Sequence, residues 1–154
     1  MTLSIQEKEL EKLLEKIILP LDSDAKIDIS KDKISQTFQI NIDSQKSGIL
    51  IGRYGETLAA LQFIIRLVLS NQAGEQVKAV VDVAGYKAAK AHELEELALQ
   101  VAENVKKSGY PQTLRPMNPY ERRIIHVALA DFKGVEAVSV GEEPNRCIEV
   151  KIKK

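Results

Sequence analysis

The sequence predicts an α+β protein built from two small units. Three observations predict it. Short stretches with an apolar residue at every second position alternate along the chain with longer stretches whose apolar residues recur every three or four, so strands and helices interleave. No segment repeats another. The length, 154 residues, allows one ordinary domain or two small ones.

Leu3, Leu10, Leu13, Leu14, Ile17 and Ile18 recur at helical spacing until Pro20, which gives an N-terminal helix over residues 1–20. Ile27 and Ile29 alternate with Lys26, Asp28 and Ser30. Phe38, Ile40 and Ile42 alternate with Gln39 and Asn41. These are two strands, and Lys31-Asp32-Lys33 between them reads as the turn of an antiparallel hairpin. A short helix from Lys46 leads to a glycine turn at 52–55. A strongly apolar helix follows from Glu56 to Leu69, ended by Asn71 to Gly74, and then a strand from Val77 to Val83.

The second unit begins at Gly85. Ala88 to Lys107 is rich in Ala, Leu, Glu and Lys and reads as a long helix closed by Ser108-Gly109. Pro111 and Pro116 favour an extended backbone over Gln112 to Met117. Asn118-Pro119-Tyr120-Glu121 then opens a helix. Asn suits the cap, Pro the first helical position, and Glu three residues after the cap completes a capping box. Val135 to Val140 and Cys147 to Ile152 are strands joined by Gly141-Glu142-Glu143-Pro144. The domain reading is residues 1–20 for the N-terminal helix, 21–84 for the first unit and 85–154 for the second.

Apolar residues are 44% and charged residues 29%, a globular composition. There are 22 basic and 22 acidic side chains, so a strongly basic protein that coats nucleic acid non-specifically is excluded, while a local basic site is not. Residues 1–85 carry 10 basic and 12 acidic groups; residues 86–154 carry 12 and 10. Cys147 is the single cysteine, which rules out a disulfide within the chain and fits a reducing compartment. His92 and His126 lie far apart with no cysteine cluster, which argues against a zinc site. No apolar run reaches the roughly 18 residues that span a bilayer. The N-terminus carries no signal-peptide pattern. The sequence reads as a cytoplasmic protein without cofactor or metal.

Two stretches carry chemistry. In Gly52-Arg53-Tyr54-Gly55 the glycines allow unusual backbone angles and close approach, the next helix presents its free amides and positive dipole end, and Arg53 adds a guanidinium suited to phosphate. Ile49, Leu50 and Ile51 beside it could line a groove for bases. Such a turn can equally be a plain helix–helix corner. It is neither a Walker loop nor a dinucleotide fingerprint, because the required Gly-Lys-Ser/Thr and third glycine are missing. In the helix after Asn118, Ile124, Ile125, Ala128, Leu129 and Phe132 share one face. Arg122 falls at the edge of the opposite face, and Arg123 and His126 fall within it. Arg122 and His126, one turn apart, suit a shallow phosphate site; a core histidine and a simple solvated face are the bland alternatives.

An Ile-Gly-x-x-Gly turn after two strands and before an apolar helix and a strand resembles the KH RNA-binding domain in its type II order, helix-strand-strand-helix-helix-strand, whose loop holds about four nucleotides. Met117 to His126 together with Ser139 to Arg146 resembles the R-3-H domain, a small α/β nucleic-acid-binding module named for such an Arg–His pair. KH followed by R-3-H is the tail of the bacterial Jag (SpoIIIJ-associated) family, and the resemblance covers roughly residues 25–152. It implies single-stranded RNA or ssDNA as ligand, with Gly52, Arg53, Tyr54 and Gly55 in the KH loop and Arg122 and His126 as the pair. Arg123, Arg115 and Arg146 are supporting contacts by charge and neighbourhood. It also implies a bacterial regulator linked to cell elongation, division or the envelope. Many members carry a further N-terminal domain that residues 1–20 cannot be, so the chain reads as a short form or a fragment. Cys147, Ala137 and Val140 depart from the polar or basic residues frequent in relatives.

Within Glu56–Leu69, Leu58, Leu61, Ile65 and Val68 form one apolar stripe, Ala60, Phe63, Ile64 and Leu67 a second, and Gln62, Arg66 and Ser70 a thin polar line. A helix apolar nearly all round wants cover on two sides. The second cover is either another part of this chain or a partner: a second copy, or the small single-KH protein with which the Jag family is associated. Three functions compete: a single-stranded RNA-binding module, a protein-interaction scaffold dimerising through this helix, and an enzyme. No nucleophile or metal cluster accompanies His126, so the enzyme is disfavoured.

Overall fold

The computed structural model describes residues 5–153; Leu3, assigned above to the first helix, and Lys154 lie outside the described residues. Two units divide the chain, residues 1–87 and 88–154, each with its own core.

The first unit contains α1 (Ile5–Ile18), β1 (Lys26–Lys31), β2 (Phe38–Asp43), α2 (Ser47–Ile51), a single 3-10 turn at Arg53–Gly55, α3 (Glu56–Ala73) and β3 (Ala79–Val83). This is the type II order expected. Leu10, Leu14 and Ile18, four residues apart, form the buried stripe of α1. They share one core with Phe38, Ile40 and Ile42 of β2, Val81 and Val83 of β3, and Leu58, Leu61, Ile65 and Leu69 of α3. The N-terminal helix is therefore part of this unit's core. Full burial of such a side chain contributes about 1.5–3 kcal/mol, so α1 is held by packing more than by its own propensity.

β1 and β2 pair antiparallel, Lys26 opposite Asp43 and Lys31 opposite Phe38. Their link is longer than the three-residue turn expected, because β1 runs on through Lys31 and Asp32 to Thr37 make the connection. There the Asp32 carboxylate accepts the amides of Ile34 and Ser35 and the Ser35 hydroxyl, a side-chain turn that lysines alone do not signal. β3 pairs parallel to β2, Phe38 opposite Ala79, so the sheet order is β1-β2-β3 with β3 at an edge.

The polar line of α3 explains how that edge is finished. Even-numbered positions of the β3 segment turn toward β2: Lys78 accepts from Phe38, and Ala84 donates to Ile42. Odd-numbered positions turn outward and meet side chains. Val77 N–H donates to Ser70 Oγ (2.9 Å), Arg66 Nε donates to the Ala79 carbonyl (2.7 Å), and Val81 N–H donates to Gln62 Oε1 (3.1 Å). Asp82 takes the amides of Val83 and Lys87.

The second unit contains most of α4 (Tyr86–Ser108), then β4 (Gln112–Thr113), α5 (Pro119–Leu129), β5 (Val135–Val140) and β6 (Cys147–Ile152). Its sheet is antiparallel, order β4-β6-β5. Leu94, Ala98, Val101, Ala102 and Val105 of α4 pack with Ile125 and Leu129 of α5, Met117, Val135, Ile148 and Val150. The Asn118–Glu121 capping box is formed in full. Of the extended stretch before it only Gln112 and Thr113 pair as a strand, although Leu114 and Met117 continue to donate to the carbonyls of Ile148 and Arg146. No helix among the described residues is long and apolar enough to cross a membrane.

Candidate nucleic-acid interface

The glycine turn is demanded by both angle and space. α2 stops because Gly52 takes φ +72° and ψ −176°. A Cβ there would stand 2.1 Å from Thr57 Oγ1 and 2.9 Å from Thr57 N. Gly55, at φ +80°, has the Tyr86 ring 3.0 Å from where its Cβ would be. Neither place admits a larger residue without movement. Between them Tyr54 also takes a left-handed conformation.

Gly55 caps α3, so no side chain caps the amides of its first turn. An 18-residue helix thus opens with its positive end toward the turn. Arg53 and Tyr54 are both exposed, with the guanidinium 5.4 Å from the Tyr54 ring centre, a cation–π distance. Glu56 is the opposing charge in that first turn. Of the three apolar neighbours, Ile49 is exposed and Ile51 half-buried. Leu50 is 2% exposed and belongs to the core, which corrects its assignment to a groove. Successive helical residues point about 100° apart, so three in a row cannot all face outward.

On α5 the structure parts the two residues of the pair. His126 is half-buried, and its Nε2 lies 3.0 Å from Ser139 Oγ of β5. Arg122 is buried: Nη1 donates to the Met117 carbonyl at 2.5 Å and Nη2 to Glu143 Oε1 at 2.6 Å. This corrects the reading of Arg122 as a side chain on the polar arc. Arg122, Ile125 and Leu129 form one buried row at i, i+3, i+7. A charged residue can occupy that row because a carboxylate and a carbonyl wait for it.

Arg115 is committed inward as well, donating to the Pro116 carbonyl and to the buried Glu121 carboxylate at 2.9 Å. Arg123 is exposed. Arg146 is half-buried, and its Nε is sealed from solvent with no hydrogen-bond acceptor. Sequence reasoning missed Thr57 and Tyr86, and it held Ser139 and Glu143 within the R-3-H stretch without a role, although each of the four touches a site residue. The acidic residue before Pro144 and the strand alternation through Ser139 were visible; their partners were not. Among the described residues, no group of three or more His, Cys, Asp and Glu is placed to hold a metal ion.

The KH domain described for KhpA and KhpB matches residues 7–83, and the R-3-H domain matches residues 92–151. Fold and sites together thus define a KH–R-3-H protein. Among its relatives, the RNA-binding protein KhpB of Clostridium symbiosum is 34% identical over 98% of this chain and 68% of its own length. KhpB of Bacillus subtilis is 30% identical over 84% of this chain and 63% of its own. KhpB of Lactiplantibacillus plantarum is 34% identical over 82% of this chain and 39% of its own. The chain belongs to the KhpB (Jag) family. It spans between 39% and 68% of the length of these three relatives.

Proposed function

We propose that this protein binds single-stranded RNA, with the backbone held at Gly52–Gly55 and a second contact on the R-3-H unit. The observation that carries the reading is the uncapped start of α3 beneath a turn that presents Arg53 and Tyr54 to solvent. Amides and a dipole end favour phosphate, Arg53 adds charge, and an exposed aromatic ring can stack on an unpaired base. Relatives named as RNA-binding proteins support it. On α5, Arg123 is exposed and His126, half-buried beside Ser139, is the other group near enough to the surface to meet phosphate. We further infer a cytoplasmic bacterial regulator acting on cell elongation or the envelope.

Unpaired bases suit a groove, and double-stranded RNA is read differently, across its minor groove. In a titration with labelled single-stranded RNA, unlabelled single strands should displace it better than duplex of equal length. Preference for the duplex would defeat the reading. The same RNA should be recovered intact after incubation, as expected of a binder and not a nuclease; cleavage would direct attention to His126 and Ser139.

A second reading has an observation of its own. Phe63, Ile64 and Leu67 on α3 are exposed, Phe63 at 66%, and form a continuous apolar row. That row favours a protein-interaction scaffold, docking a second copy or a small KH protein, with RNA binding secondary.

A further inference from the structure

We propose that Arg122 is a positioning residue, and that the phosphate contact it serves on the R-3-H unit is Arg146. The inference rests on the RNA-binding reading above and assigns roles within it. The Arg122 guanidinium reaches two places at once: the Met117 carbonyl through Nη1 and Glu143 Oε1 through Nη2. The amide of Met117 in turn donates to the Arg146 carbonyl at 3.1 Å. Glu143 and Arg146 lie three residues apart on the turn between β5 and β6, which is closed by Asn145 N–H on the Glu142 carbonyl at 2.8 Å. Guanidinium, the Met117 backbone and the turn therefore form a closed ring, and Arg122 is the side chain that completes it.

The ring leaves Arg122 poorly placed as a ligand for phosphate. Its side chain is 8% exposed, whereas Glu143 in front of it is 52% exposed, so an incoming phosphate meets the carboxylate first. Arg146 has the opposite condition. Its backbone is fixed by the ring, its side chain is half-buried, and Nε is a donor without an acceptor. A buried donor in that state is costly, and native structures leave few of them. Swinging outward about its own torsions, Arg146 would present Nε and one Nη as the fork that takes a phosphate with two parallel bonds.

The test measures affinity for labelled single-stranded RNA against salt concentration, with each protein held well below its own melting temperature. Arg146→Ala should lower the salt slope by about one and leave the melting temperature near wild type. Glu143→Gln and Arg122→Lys should each weaken binding about fivefold or more, as expected when one coupled contact is lost. Added to Arg146→Ala, Glu143→Gln should cost nothing further. If Arg122 were itself the ligand, held back by Glu143, Glu143→Gln would tighten binding instead. That result, an unchanged slope in Arg146→Ala, or variants that lower only the melting temperature would each overturn the proposal. Should Arg122→Lys fail to fold, Glu143→Gln carries the test alone. A wild-type chain that binds no RNA defeats the RNA-binding reading, and this inference with it.

Discussion

Asp22 shows how much a single residue can organise. It is buried, and its carboxylate accepts the Ser44 hydroxyl at 2.6 Å together with the amide of Asp24, with the amide of Lys46 at 3.5 Å. The α1–β1 connection is thereby tied to the β2–α2 connection, just ahead of the glycine turn. The Ser44 hydrogen bond is the main force holding the Asp22 carboxyl below its ordinary value of 3.8, and the Asp24 and Lys46 amides add to it against the opposing effect of burial. A folded-state value below the unfolded one means that the bonds contribute stability above about pH 4, and that the contribution is lost as pH falls through the folded value. Ser44→Ala should therefore lower stability at pH 7 and flatten its fall on acidification. Urea unfolding at pH 7 and pH 3 checks this; equal losses at both values would contradict it. None of this was legible in the sequence, because Asp22 and Ser44 lie 22 residues apart and neither belongs to a periodic pattern. The glycines at 52 and 55 were legible, since their backbone role needs no distant partner. Arg122 was misplaced for the same reason as Asp22: its carboxylate lies 21 residues further on.

Helices and strands followed from periodicity, composition and proline placement, which are local properties, and their order was correct throughout. Purpose within an element was harder to read. The sequence shows a thin polar line on α3 and no task for it; in the fold Gln62, Arg66 and Ser70 serve as a substitute strand for the outer side of β3. An unfinished strand edge invites another chain, and side-chain bonds along it remove that invitation. Gln62 Oε1 also receives Lys87 Nζ at 2.8 Å. Burial holds the Lys87 ammonium below its ordinary value of 10.5, so that partner matters. Gln62→Ala strips the outward Val81 amide and the half-buried ammonium of an acceptor. A loss of about 1–3 kcal/mol in urea unfolding is expected, larger than the roughly 0.5 kcal/mol of an ordinary surface substitution. A change within that smaller range would show that water replaces the amide at no cost. The length of the β1–β2 link was misread because Asp32 builds a turn from its own side chain, which alternation does not report.

At the scale of the whole molecule, two cores support two candidate sites, one on each unit. With 22 charges of either sign, no global field draws RNA to the surface, so affinity must come from these local sites. Family and order of units were legible because two long motifs carry them; the partners inside each motif needed the fold. The central claim is that the Gly52–Gly55 turn holds RNA. Its most direct test is the affinity of the full chain for labelled single-stranded RNA, compared with Arg53→Asp combined with Tyr54→Asp. Both side chains are exposed, and Asp tolerates the left-handed backbone at position 54, so the variant should keep its circular dichroism and melting temperature. Two carboxylates facing phosphate should weaken binding at least about tenfold. A folded double variant that binds with wild-type affinity would contradict the account.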